Sequence, residues 1–167
     1  MDLGRKKQDK LTTGEGGIDL IKKFEGASLV AYKCPANIWT IGYGNTSYLR
    51  NWVATDSNPA GIRISAAFAE QLLRHDLRFF EKTVNNLFEV NHLRQNEFDA
   101  IISFSFNIGI GAFKNSSLLK IIRDDKTNVN SIKFQFLKWK YINGKISPGL
   151  LRRRIAEFEL FFHHTLQ

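Results

Sequence analysis

The chain has 167 residues, enough for one domain or one domain in two lobes, and 43% apolar content with 14 phenylalanines is ample for a core. A single cysteine excludes a framework of internal disulfides. The formal charge of +8 predicts attraction to polyanions, with nucleic acid, anionic lipid and anionic wall polymer all fitting.

No stretch approaches the ~18–20 apolar residues of a membrane span. Arg5, Lys6 and Lys7 are not followed by an apolar core or a small-residue cleavage site. The N-terminus therefore does not read as a signal peptide, and synthesis in the cytoplasm without an export route of its own is expected. Residues 1–13 are polar and basic and read as a loose arm.

The first helix is expected from Gly14 or Gly16 to Glu25, because Ile18, Ile21 and Phe24 recur at helical spacing. Gly26 is its expected C-terminal cap. Glu25 then stands at the negative end of the helix, where the dipole disfavours a carboxylate and pushes its pKa upward. A carboxyl of that kind can donate a proton as a general acid. A hairpin follows, with one short strand at Val30–Tyr32 and the other at Ile38–Tyr43. Pro35, Ala36 and Asn37 are turn material. A loop from Pro35 to Trp39 would set Cys34 opposite Thr40 at its base, and Glu25, Cys34 and Thr40 would converge on one cleft. Gly42 and Gly44 flank Tyr43 and would let a ligand or another backbone approach closely.

Glu25, eight residues, Cys34, five residues, Thr40 and then Ile-Gly-Tyr-Gly resembles the catalytic segment of phage-type lysozymes, the endolysins of glycoside hydrolase family 24. The resemblance puts the catalytic Glu on Glu25 and the catalytic Thr on Thr40. Cys34 falls where the family usually has Asp, and Asn45 where it commonly has His.

Thr46 to Arg63 is a long irregular segment that either rims the cleft or is an inert surface loop. Ser65 is a good N-cap for a helix whose apolar face runs from Ala69 through Leu72, Leu73, Leu77, Phe80 and Val84 to Leu87. In the family, a helix here joins the two lobes. Leu93 to Asn107 is another apolar helix, and residues 93–113 are a second match to the family. Asn107 would offer its amide to sugar or backbone, or cap the helix. Ser116 or Ser117 starts a short helix closed by Asp124 and Asp125, which read as solvated turn residues and not as metal ligands. A helix from Val129 to Tyr141 follows, with Trp139 in the core. Residues 141–157 are the third match, ending in the triplet Arg152, Arg153, Arg154. One of these arginines would hold Glu25 by a charge-assisted hydrogen bond.

The fold implied is α+β and mostly helical. It has a hairpin lobe at 14–64, and a long helix leads into a helical lobe within 65–167. The activity implied is hydrolysis of the β-1,4 link between N-acetylmuramic acid and N-acetylglucosamine in peptidoglycan. Glu25 would be the acid, Cys34 a base, a nucleophile or an inert buried cysteine, and Thr40 would orient water. Tyr43, Asn107 and Arg152 would bind substrate. No ligand cluster exists in the sequence, so no cofactor or metal is expected. A monomer acting on the wall is expected, reaching it through a separate holin-type protein, with no nucleic acid and no stable membrane insertion. Three rivals stand beside this reading: a lytic transglycosylase using Glu25 alone, an inactive wall-binding relative, and a basic nucleic-acid-binding module.

Overall fold

Helix α1 spans Glu15–Glu25 in the computed structural model, which describes residues 10–50, 58–88 and 92–163. Ile18 and Ile21 are fully buried on its inner face. Gly26 ends it at φ 68°, a backbone state that a residue with a Cβ rarely adopts, and its N–H donates to the Lys22 carbonyl at 3.2 Å. At the other end the Asp99 carboxylate accepts from the Gly14 N–H at 2.9 Å, so a neighbouring helix supplies the cap that Gly14 lacks. Residues 11–13, expected in the arm, are already docked. Leu11 N–H donates to Asn85, and both the N–H and the hydroxyl of Thr13 donate to Glu81.

Strands β1 (Ser28–Lys33) and β2 (Trp39–Gly42) form an antiparallel pair with Tyr32 opposite Thr40 and Lys33 opposite Trp39. The turn is tighter than expected. Asn37 takes φ 61° and its N–H donates to the Cys34 carbonyl at 2.7 Å. Cys34 therefore stands across from Ile38, not Thr40, and its N–H donates to the Ile38 carbonyl at 3.0 Å. On its outer edge β1 bonds the segment 62–64, where the Ala31 N–H donates to Ile62 and the Ile64 N–H to Leu29. Part of the long segment after Thr46, including Trp52, lies outside the described residues.

Helix α2 covers Ala66–Leu87, as its periodicity predicts, with the Ser65 hydroxyl accepting from the Phe68 N–H at 3.1 Å. Such a cap stabilises by about 1 kcal/mol. This helix serves two cores. Leu72 packs on the small cluster of Ala31, Ile41 and Leu49, while Leu73, Leu77 and Val84 belong to the main cluster. That division gives the two lobes and makes α2 the connection between them.

Helix α3 (Gln95–Ile108) is the axis of the larger lobe, and every residue from Asn96 to Ser105 is buried. The helix is enclosed on all sides, by α1, α2 and the last helix, so its polar residues are buried too. Gly109, at φ 89°, separates it from the short α4 (Ile110–Lys114). Helix α5 (Ser117–Asp125) is capped by Ser116, and Asp125 accepts from the N–H and hydroxyl of Thr127, as expected of a turn residue. Helix α6 stops at Leu137, short of the expected Tyr141. Tyr141–Ile142 instead pairs as β3 with Lys145–Ile146 as β4. Asn143 and Gly144 lie between them at φ 49° and 75°, the two-residue turn such a hairpin favours. Trp139 is half-buried and meets Phe104 edge-on, with ring centres 5.9 Å apart. Helix α7 runs Pro148–Phe161, with Pro148 in its first turn and the Ser147 hydroxyl accepting from Leu150.

Candidate active site

Glu25 stands where α1 ends and β1 has not yet begun, so one residue faces both lobes. Its side chain is about a quarter exposed, at 26%. On one side is a cavity of about 320 Å³ walled by Gly26, Ser28, Tyr32, Gly42 and Tyr43. On the other is a cavity of about 490 Å³, to which Lys23, Asn107, Ile142, Ser147 and Arg152 contribute. Glu25 is common to both walls. Tyr43, Asn107 and Arg152, each expected to meet substrate, thus all stand in cavities that contain Glu25.

Glycines 42 and 44 both line the smaller cavity, and their backbone adds a reason of its own for glycine. They take φ 64° and 93° in the turn that closes with the Ile41–Asn45 bridge. A Cβ on Gly42 would sit 3.5 Å from Ala69, ordinary contact, so its backbone conformation and not crowding demands glycine. The turn directs Tyr43 into the cavity.

Cys34 and Thr40 lie on one face of the hairpin as diagonal neighbours, and that face also carries Tyr32. Neither lines either cavity. The thiol is half-buried. The Ile38 N–H above all, with the Ala36 N–H and the Thr40 hydroxyl, holds its pKa below the usual thiol range against the opposing effect of desolvation. Thr40 is buried, and its hydroxyl lies 3.0 Å from the Ile38 carbonyl.

Of the arginine triplet, Arg153 holds Glu25. Its Nη1 donates to Glu25 Oε1 at 2.5 Å, its Nε to Glu157 Oε1 at 3.1 Å and its Nη2 to the Ser103 carbonyl at 3.2 Å. Arg154 turns inward beside it. Its Nη2 donates to Asn107 Oδ1 at 2.9 Å, and its Nε lies 2.9 Å from Glu157 Oε2. The cap of α3 falls to Gly109, whose N–H donates to Ser105, and this leaves Asn107 to face the cavity and Arg154 together. Burial pulls the Arg154 pKa down to about 10 and pushes that of Glu157 up, each opposed by the other's charge. Arg152 is exposed.

Glu157 and Ser103 went unread in the sequence. Ser103 Oγ donates to Glu157 Oε1 at 2.8 Å, completing a buried chain from α3 through Glu157 and Arg153 to Glu25. The available signal was an acid four residues after Arg153 and next to Phe158. Among the described residues no group of His, Cys, Asp or Glu side chains is placed to hold a metal ion, and no helix is long and apolar enough to cross a membrane.

A carboxylate at a helix tip, a small hairpin lobe over it, and a long helix leading to a helical lobe define the lysozyme fold. The muramidase domain of SpmX from Asticaccaulis excentricus superposes with a TM-score of 0.75 at 37% identity, covering 90% of this chain and 97% of that one. The chain belongs to the phage lysozyme family, whose model matches residues 22–157. An endolysin of Acyrthosiphon pisum secondary endosymbiont phage 1 is 41% identical, over 88% of this chain and 95% of its own. An endolysin of Bacillus phage PZA is 39% identical over 88% of this chain but only 54% of its own, so this chain spans about half the length of that relative.

Proposed function

We propose that this chain is a muramidase that cuts the glycan strands of bacterial peptidoglycan between N-acetylmuramic acid and N-acetylglucosamine, and that it serves host cell lysis. The observation that carries the reading is Glu25, held by Arg153 and shared by two cavities on either side of the helix tip. Glu25 gives its proton to the leaving glycosidic oxygen as the oxocarbenium-like transition state forms. A water, oriented by Thr40, attacks the anomeric carbon and passes its proton to the Cys34 thiolate. The lowered thiol pKa supplies more thiolate near neutral pH than a free cysteine would have. Alternatively the thiolate itself attacks the anomeric carbon, and water then releases the sugar. Tyr43, Asn107 and Arg152 bind the glycan beside Glu25. The chain acts as a monomer, without cofactor, and reaches the wall after a holin-type protein opens the membrane.

Turbidity loss on purified peptidoglycan tests this, with wild type, Glu25→Gln, Cys34→Ser and Cys34→Asp. Loss of general acid catalysis should cost Glu25→Gln about 10²–10⁴-fold in rate. A dead Ser variant with a live Asp variant assigns Cys34 as base. A fully active Ser variant removes Cys34 from the mechanism and favours a transglycosylase working through Glu25 alone, which anhydro-muropeptide products would identify. Wall binding without cleavage in the wild type would leave a binding module.

A further inference from the structure

From Lys126 to Ala156 the sequence holds eight lysines and arginines and no aspartate or glutamate. Arg153 and Arg154 are spent on Glu157 and Glu25, and Lys126 on Glu97. The other five basic residues enter no ion pair among the described residues, and Lys138, Lys140 and Lys145 are three of them. In the middle of this run stands the β3–β4 hairpin.

Two-stranded hairpins usually bury one face. This one buries neither, with Tyr141 50%, Ile142 55% and Ile146 53% exposed. Tyr141 and Ile146 are cross-strand partners and so share a face. Lys140 Nζ lies 5.5 Å from the centre of the Tyr141 ring. The Asn143–Gly144 turn presets the shape, so little ordering cost remains to be met on binding.

We propose that the β3–β4 hairpin docks the protein on an anionic lipid surface. Tyr141 and Ile146 enter the boundary between headgroups and acyl chains, while Lys140 and Lys145 meet the lipid phosphates. Apolar and basic side chains alternating on one projecting element suit that boundary, which rewards both kinds of contact. A hydrophilic phosphate polymer of the wall rewards only the lysines. Ile142 and Ser147 also line the larger cavity with Glu25, so a docked hairpin would hold that cavity beside the membrane.

Sedimentation with vesicles at about 0.15 M salt tests the proposal. Wild type should sediment with mixed phosphatidylglycerol–phosphatidylcholine vesicles and stay in solution with phosphatidylcholine alone. The double variant Lys140→Gln, Lys145→Gln should partition more weakly by about fivefold per lysine. The double variant Tyr141→Ser, Ile146→Ser should lose at least about tenfold. Both should unfold close to the wild-type temperature, because Tyr141, Lys145 and Ile146 are exposed and Lys140 is only half-buried. Absence of wild-type binding to the anionic vesicles, or wild-type binding by either double variant, overturns the proposal. So does sedimentation with a purified phosphate wall polymer that survives the serine changes and fails with the glutamine changes; that polymer would then be the occupant. None of these outcomes depends on cleavage of peptidoglycan.

Discussion

Arg153 reaches Glu25 across 128 residues of chain, Nη1 to Oε1 at 2.5 Å, and pins the tip of the first helix to the last one. The guanidinium is 3% exposed and spends its other two donating edges on Glu157 and the Ser103 carbonyl. Its planar fork can meet three acceptors in three directions, which a lysine ammonium on a flexible stem cannot do. Arg153→Ala would strand two carboxylates and a buried carbonyl. It should cost about 3–5 kcal/mol, on the order of 10 °C in Tm for a chain of this length. Arg153→Lys should recover part of the stability, yet cleavage of peptidoglycan should stay at least about tenfold down, because Glu25 is no longer aimed. Calorimetry and a turbidity assay on both variants separate the two effects.

Cys34 should write a thiol into the pH–rate profile. With the Ile38 N–H holding its pKa below the usual thiol range, the rate on peptidoglycan should climb through a limb centred below that range. Cys34→Asp should move the limb down to the carboxylate range near about 4. Cys34→Ser should abolish it. A profile unchanged by either substitution would show that the thiol does no proton transfer.

Asn45 fastens the hairpin lobe to the connecting helix. Its Nδ2 donates to both oxygens of Asp76 at 2.9 and 2.8 Å, and its Oδ1 accepts from the Tyr48 N–H at 2.9 Å. The side chain is buried, and its amide both donates to the carboxylate and accepts from the backbone N–H, which an ionised carboxylate in its place could not do. Asn45→Asp replaces the donor by a second carboxylate and should destabilise by about 2 kcal/mol at neutral pH. The paired carboxyls bind a proton more readily folded than unfolded, so this deficit should shrink as pH falls. Urea unfolding at pH 7 and pH 4 measures both the loss and its recovery.

Glu70 ties α1 to α2 by accepting from Lys22 Nζ at 2.8 Å and from Arg74 at 3.0 and 2.8 Å. The Lys22 hydrogen bond first, then that of Arg74, lowers its pKa from the ordinary glutamate value. A carboxyl depressed in the folded state adds stability above its unfolded pKa and loses it as pH falls through the folded one. The wild-type Tm should therefore fall below about pH 4.5 by more than that of Glu70→Gln. Parallel Tm curves for the two proteins would remove Glu70 from the acid response.

Local chemistry was enough to read α1 with its glycine stop, the Ser65 cap and full extent of α2, and the hairpin after Gly26, because periodicity, capping and turn residues act over a few positions. Glu25 could be placed at the helix tip for the same reason, whereas Cys34 and Thr40, expected to converge on one cleft with it, line neither of its cavities. The sequence could not choose among Arg152, Arg153 and Arg154, since a helix turns by 100° per residue and only the packing of α7 on α3 and α1 decides which guanidinium faces Glu25. Nor could it say that α3 would be enclosed all round, making Glu157 and Ser103 part of a buried polar chain. The Cys34–Ile38 register was likewise decided by turn geometry at Asn37, where a positive φ reverses the chain sooner than propensity suggested, and α6 ends at Leu137, four residues before Tyr141, ahead of the hairpin that turns at Asn143 and Gly144. What stayed hidden was long-range: desolvation and hydrogen-bond satisfaction depend on neighbours up to 128 residues away, and no local pattern carries that information.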